Sequence, residues 1–159
     1  MLTPARILAM VAGFILSTAS IAQVHISDAW ARATVSGQSA SGVFLRLKAD
    51  ADTRLVGASS AVAGITQLHS MSMKDHVMHM NPIDAIELPA GQTVALAAGG
   101  YHIMLMDLKQ TLEAGKQLSV QMHFKDAQGK SWSQTIEVPI QRQAPAHGGM
   151  GHGHDAMKY

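Results

Sequence analysis

The chain has 159 residues, 47% of them hydrophobic and 14% charged, with a formal net charge of +1. This length and composition fit one domain with a packed core, and so small a charge provides no basic field for nucleic acid. There is no cysteine, which excludes thiol–disulfide exchange, a cysteine nucleophile and a blue-copper electron carrier, whose site needs a thiolate.

Residues 1–22 read "MLTPARILAMVAGFILSTASIA". One charge at Arg6 precedes an apolar run from Ile7 to Leu16, and small residues lead to Ser20-Ile21-Ala22. This is the pattern of a signal peptide cleaved after Ala22. The apolar run is short for a membrane span, so no stable membrane insertion is expected after cleavage. Loss of Arg6 leaves eleven bases against eleven acids, a net charge of zero. A bacterial periplasm fits this export best. The new end, Gln23-Val24-His25, would offer an amine, two amide nitrogens and an imidazole, a square-planar set for Cu(II). That site is lost if Gln23 cyclises or His25 is tied into the first strand.

Residues 23–143 read as strands. "VHISDAWARAT" (24–34) holds residues that suit strands, and in "SGVFLRLKA" (41–49) apolar Val43, Leu45 and Leu47 alternate with Phe44, Arg46 and Lys48. "RLVGASS", "GITQLHS" and "HVMHMNPID" come next, with "SMKDH" as a turn between the last two. "QTVALAAGG" leads into "YHIMLMDL". "QLSVQMHF" and "SWSQTIEVPI" flank "KDAQGK", a hairpin signal. Short, evenly spaced strands without a convincing long helix predict an all-β fold, an antiparallel β-sandwich or barrel. Residues 144–159, "APAHGGMGHGHDAMKY", cannot bury a core and are expected to form a flexible tail.

Nine histidines and eleven methionines are the compositional excess, and many sit in "LHSMSMKDHVMHMNP" (68–82) and "YHIMLMDL" (101–108). Residues i and i+2 on a strand share a face. His102 and Met104 are such a pair, and Met106 continues it. Met78 and Met80 form another, and His69, Met71 and Met73 share one parity. Three segments can thus converge on one site. Neutral, soft thioethers with imidazole favour Cu(I) and bind Zn(II), Mg(II) or Ca(II) poorly. Taken singly, these residues have ordinary uses, since methionine fills gaps in cores. The joint pattern raises the metal reading. His123 and Met122 read as structural, Trp30 and Trp132 as core, and Asp75, Asp107 and Lys109 as turn or surface groups.

The spacing His69, ten residues, Met80, twenty-one residues, His102-x-Met104 resembles the copper-binding motif of the periplasmic copper chaperones called PCu(A)C. The similarity extends over most of residues 25–140. One departure is Ser70, where the family often has methionine. The resemblance implies His69, Met80, His102 and Met104 as Cu(I) ligands. Met71, Met73, Met78 and Met106 are expected to matter less, as an apolar or sulfur-rich rim that shields the ion. It implies a cupredoxin-like β-sandwich, and delivery of copper to the binuclear copper centre of cytochrome c oxidase, with that oxidase subunit or a Sco-type protein as partner.

The tail carries a second donor set: His147, Met150, His152, His154, Asp155 and Met157. Imidazoles with Asp155 suit Cu(II) better than the thioether site does. The reading is therefore a copper chaperone and not an enzyme. The alternative is a periplasmic copper-sequestering or resistance protein with the same ligands, and a third class is an exported binding module whose methionines are only core. No Gly-x-Ser-x-Gly motif supports a hydrolase.

Overall fold

The computed structural model describes residues 23–145. The signal segment 1–22 and the donors His147, Met150, His152, His154, Asp155 and Met157 lie outside the described residues. Ten strands run in chain order: β1 (Val24–Arg32), β2 (Ala40–Ala49), β3 (Thr53–Ser59), β4 (Ala63–Lys74), β5 (Val77–Ile83), β6 (Ile86–Leu88), β7 (Thr93–Leu96), β8 (His102–Leu108), β9 (Gln117–Asp126) and β10 (Ser131–Gln141). Among the described residues no helix forms.

The strands pair in the order β5-β4-β8-β2-β1-β10-β9-β3-β6, and β7 also pairs with β2. The architecture is the expected all-β one. One pairing departs from the antiparallel expectation: β1 runs parallel to β10, with Ala31 opposite Ile140. That join divides the sheet into two halves. Val43, Leu45, Leu47, Leu68, Ile103 and Leu105 from the first half meet Leu55, Val120, Met122 and Phe124 from the second in one buried cluster. Each such side chain contributes roughly 1.5–3 kcal/mol when fully buried, so period-2 alternation fixes which face turns inward.

Two local devices set up the first half. The β4–β5 hairpin is a two-residue connection, because Lys74 pairs with Val77. Asp75 and His76 have φ of 52° and 61°, the pattern of a type I′ turn whose twist matches the strands. The turn is tighter than "SMKDH" implied, so β4 runs through Met71 and Met73 to Lys74. The second device is in β1, where the register with β2 shifts between Ser27 and Trp30 and Asp28 has φ 53°. This bulge re-aims the side chains beyond it. Trp30 pairs with Phe44 on the outer face, and Ala31 pairs with Val43 on the inner one.

The "KDAQGK" turn forms as read: Asp126 N–H donates to the Lys130 carbonyl at 2.9 Å, and Asp126 Oδ1 accepts from Gln128 N and Lys130 N. Strand β6, which pairs with β3, is an element that the sequence reading does not contain.

Candidate metal centre

The outer face of the first half gathers the soft donors. Inner positions of β4 and β8 go to Leu68, Ile103 and Leu105, so the intervening residues point outward. Register then places them. His69 on β4 is directly opposite His102 on β8, and Gln67 is opposite Met104. On the other side of β4, Met71 is opposite Met80 and Met73 opposite Met78. Gly42 on β2 is opposite Met104. The three segments singled out in the sequence are thus three neighbouring strands, β5, β4 and β8.

Met71, Met80, His102 and Met104 line one cleft of about 360 Å³, together with Gly42 and Phe44. His69 stands beside it, its ring centroid 5.6 Å from that of His102 at 66°. That separation lets both rings reach one ion, since a metal–nitrogen bond of about 2.0 Å puts the ion roughly 3 Å from each ring centre. Met73 and Met78 sit farther along the hairpin, toward its tip. Met106 lies on the same face, beyond Met104 and opposite Ala40 and Ile65.

Both imidazoles are buried, and their hydrogen bonds differ. His102 Nδ1 lies 3.2 Å from the Gly100 carbonyl. A carbonyl only accepts, so Nδ1 carries the proton and Nε2 keeps its lone pair. His69 Nε2 lies 3.1 Å from Gln67 Oε1, while its Nδ1 is buried with no hydrogen-bond partner. Burial, and next the neighbouring His102 ring, hold His69 below the usual imidazole range, so it stays neutral. An orphaned buried nitrogen costs about 1–3 kcal/mol, and a soft cation is a partner that would satisfy it. Among the described residues no group of three His, Asp or Glu could hold a metal, so a site here must draw on methionine.

The sequence reading missed one wall. Trp30 and Phe44 are buried, yet they stand outside the main cluster. They stack at 4.8 Å, and the Phe44 ring lies 6.2 Å from that of His102. Arg32 sits over Phe44 at 5.9 Å and, among the described residues, is the one arginine, lysine or acid lining the cleft. Gly42 makes room, because a Cβ there would meet Phe44 Cζ at 2.9 Å. The signal was present, since Phe44 has the outward parity of Arg46 and Lys48, and an outward aromatic needs a cover. Elsewhere, His25 Nε2 lies 3.2 Å from Asp50 Oδ1, and Val24 and His25 both pair with β2. Cu(II) binding at Gln23-Val24-His25 would have to break that pairing.

A family model described as "Putative lipoprotein LpqE-like" matches residues 24–140. The chain belongs to this LpqE-like family. A relative from Leifsonia xyli subsp. xyli, described as "Putative lipoprotein Lxx21020", is 36% identical over 118 residues, 74% of this chain and 69% of its own. Among solved structures, the copper-bound PCuAC domain from PmoF2 superposes with a TM-score of 0.62 at 25% identity, covering 78% of this LpqE-like chain and 97% of its own. Cu(I)-bound DR1885 from Deinococcus radiodurans gives 0.50 at 27% identity over 74% and 76%. Each of those two proteins is described with copper bound.

Proposed function

We propose that this protein is an extracytoplasmic copper chaperone, not an enzyme, that holds one Cu(I) between His69, Met80, His102 and Met104. The reading rests on one observation above all. Two buried imidazoles from adjacent strands stand at a cleft lined by the thioethers of Met71, Met80 and Met104, in a fold similar to a copper-bound PCuAC domain. The donor set selects the oxidation state. Among the described residues no carboxylate lines the cleft, and the ionised side chain there is a cation, Arg32. Such a site disfavours a dication, and thioethers prefer Cu(I). Met71 is the rim residue placed to assist, because it lines the same cleft.

Delivery fits better than storage. Met80 is 46% exposed on β5, an edge strand, so one ligand is open to exchange with an acceptor. The proposed acceptors are the copper-centre subunit of cytochrome c oxidase and a Sco-type protein. The proposed compartment is the periplasm, reached by cleavage after Ala22. This leaves a copper-binding domain at 23–143 and a tail at 144–159. The tail donors His147, Met150, His152, His154, Asp155 and Met157 form a second, harder site for Cu(II).

Anaerobic Cu(I) titration of the mature protein, with and without residues 144–159, tests this reading. One equivalent should bind to both forms, and Cu(II) only to the longer one. Absence of Cu(I) uptake by the shorter form would overturn the core site. Equal Cu(II) uptake by both forms would overturn the tail site.

A further inference from the structure

The two imidazoles of the centre are held differently, and the difference assigns a role to a residue outside the donor set. Gln67 shares the outward parity of His69 on β4 and sits opposite Met104 across the β4–β8 ladder. It occupies one corner of a block whose other corners are His69, His102 and Met104. Its amide oxygen is a hard donor, unsuited to Cu(I). It touches His69 instead, Oε1 to Nε2 at 3.1 Å.

Two proton arrangements satisfy that contact. In the first, His69 Nε2–H donates to the amide oxygen and Nδ1 keeps a lone pair. In the second, the amide is turned over, its NH₂ donates to Nε2, and Nδ1 carries the proton. Nδ1 has no partner and no access to water. The second arrangement buries an orphaned N–H, which proteins rarely tolerate, whereas an under-used acceptor is the milder defect. The first arrangement also leaves a lone pair that a soft cation can use. His102 is fixed the opposite way, because its Nδ1 faces the Gly100 carbonyl at 3.2 Å.

Resting on the copper reading above, we propose that Gln67 is a positioning residue: it takes the Nε2 proton of His69 and presents Nδ1 of that ring to Cu(I), while the Gly100 carbonyl presents Nε2 of His102. The two histidines then bind one ion through different nitrogens. A partner on the non-ligating nitrogen fixes tautomer and ring orientation, and its loss typically lowers metal affinity 10–100-fold.

The first test needs no metal. Long-range ¹⁵N–¹H correlation spectra of the apo protein at pH about 8, above the ordinary imidazole range, report each tautomer. Wild type should show His69 protonated at Nε2 and His102 at Nδ1. Gln67 is exposed, so its substitution leaves the fold intact. Gln67→Leu should give His69 a mixture of tautomers and weaken Cu(I) binding about 10–100-fold. Gln67→Glu keeps an acceptor and should restore the single tautomer. Ag(I), a redox-inert stand-in for Cu(I), should show scalar coupling to Nδ1 of His69 and Nε2 of His102. Silver coupled to Nε2 of His69, or wild-type His69 protonated at Nδ1, would overturn the proposal. Failure of the wild type to take up either Ag(I) or Cu(I) would instead overturn the copper reading, whatever the tautomers.

Discussion

The two outer faces of the fold each carry a histidine within two residues of a methionine in sequence, and they use it in opposite ways. On β9, Met122 turns inward and is fully buried, and His123 turns outward. Both nitrogens of His123 are occupied: Nδ1 lies 2.8 Å from Ser133 Oγ and Nε2 3.3 Å from Ser59 Oγ. That ring ties β10 and β3 to β9. On β4 and β8, His69 and His102 also turn outward, but each has a nitrogen left over. Adjacent residues on a strand fall on opposite faces, whereas residues two apart share one. "MH" therefore divides into a core group and a strap, while "HIM" leaves two donors side by side. A spare lone pair and a thioether within reach separate a candidate ligand from a structural histidine.

The sharpest way to break this comparison is to remove the shared-face pair. His102→Ala with Met104→Ala should lower Cu(I) affinity by more than about 100-fold, since partners one shell farther out already account for 10–100-fold. His123→Ala should leave it unchanged. Competition titration against a Cu(I) chelator reads both. Similar losses in the two variants would mean that the outer faces are not distinct.

The methionines should divide the same way. Met122→Ala opens a cavity in the core and should cost about 2–5 kcal/mol of stability while leaving Cu(I) stoichiometry at one. Met80→Ala removes a half-exposed side chain and should cost less than about 0.5 kcal/mol while weakening Cu(I) binding. Urea denaturation of the apo proteins, set beside the titration, separates the two effects.

These contrasts explain how far the sequence could be read. Strand alternation was legible because inner and outer positions differ in hydrophobicity, as in Val43, Leu45 and Leu47. The convergence of the candidate donors was legible because residues two apart share a face on each of three strands, β4, β5 and β8, that pair as neighbours. The Asp28 bulge was not, because a one-residue slip leaves no mark in composition, yet it decides that Trp30 faces the site and not the core. The role of Gln67 was also hidden. Its partner is close in sequence, but its importance depends on Nδ1 of His69 being orphaned, which only packing determines. The parallel β1–β10 join depends on contacts more than a hundred residues apart along the chain.

The comparison can be sharpened with pH. Burial and the His102 ring hold folded His69 below its ordinary value of 6.5. In the unfolded chain it takes up a proton at that ordinary value, so between the two values the unfolded state binds more protons. Stability of the apo protein should therefore be fully present above about pH 6.5 and be lost as pH falls toward the lower folded value, with no further loss from this group below it. His69→Gln should flatten that part of the profile. Urea midpoints of wild type and variant at several pH values between 5 and 8, on the scale of ordinary imidazole titration, give the difference. A constant difference across the range would contradict the assignment. Cu(I) affinity should fall in the same direction, because protons compete for imidazoles and not for thioethers.

The smallest effect concerns the aromatic wall. Gly42→Ala would ordinarily stabilise a strand by about 0.5–1 kcal/mol, since glycine loses more backbone freedom on folding. Here the new Cβ would press on Phe44 Cζ, and overpacking of this kind costs about 1–3 kcal/mol. The atom it meets is the far end of a ring, which can tilt, so the low end of that range applies. The net loss should be about 1 kcal/mol or less. The ring's tilt has a separate reporter. Trp30 stacks on Phe44 at the site, whereas Trp132 stacks on Phe124, at 5.6 Å, against the core. With Trp132→Phe as background, Gly42→Ala should shift Trp30 emission, and Cu(I) loading should quench it. With Trp30→Phe as background, Trp132 emission should respond to neither. Quenching of both tryptophans to the same degree would show that the ion does not sit beside the Trp30–Phe44 wall.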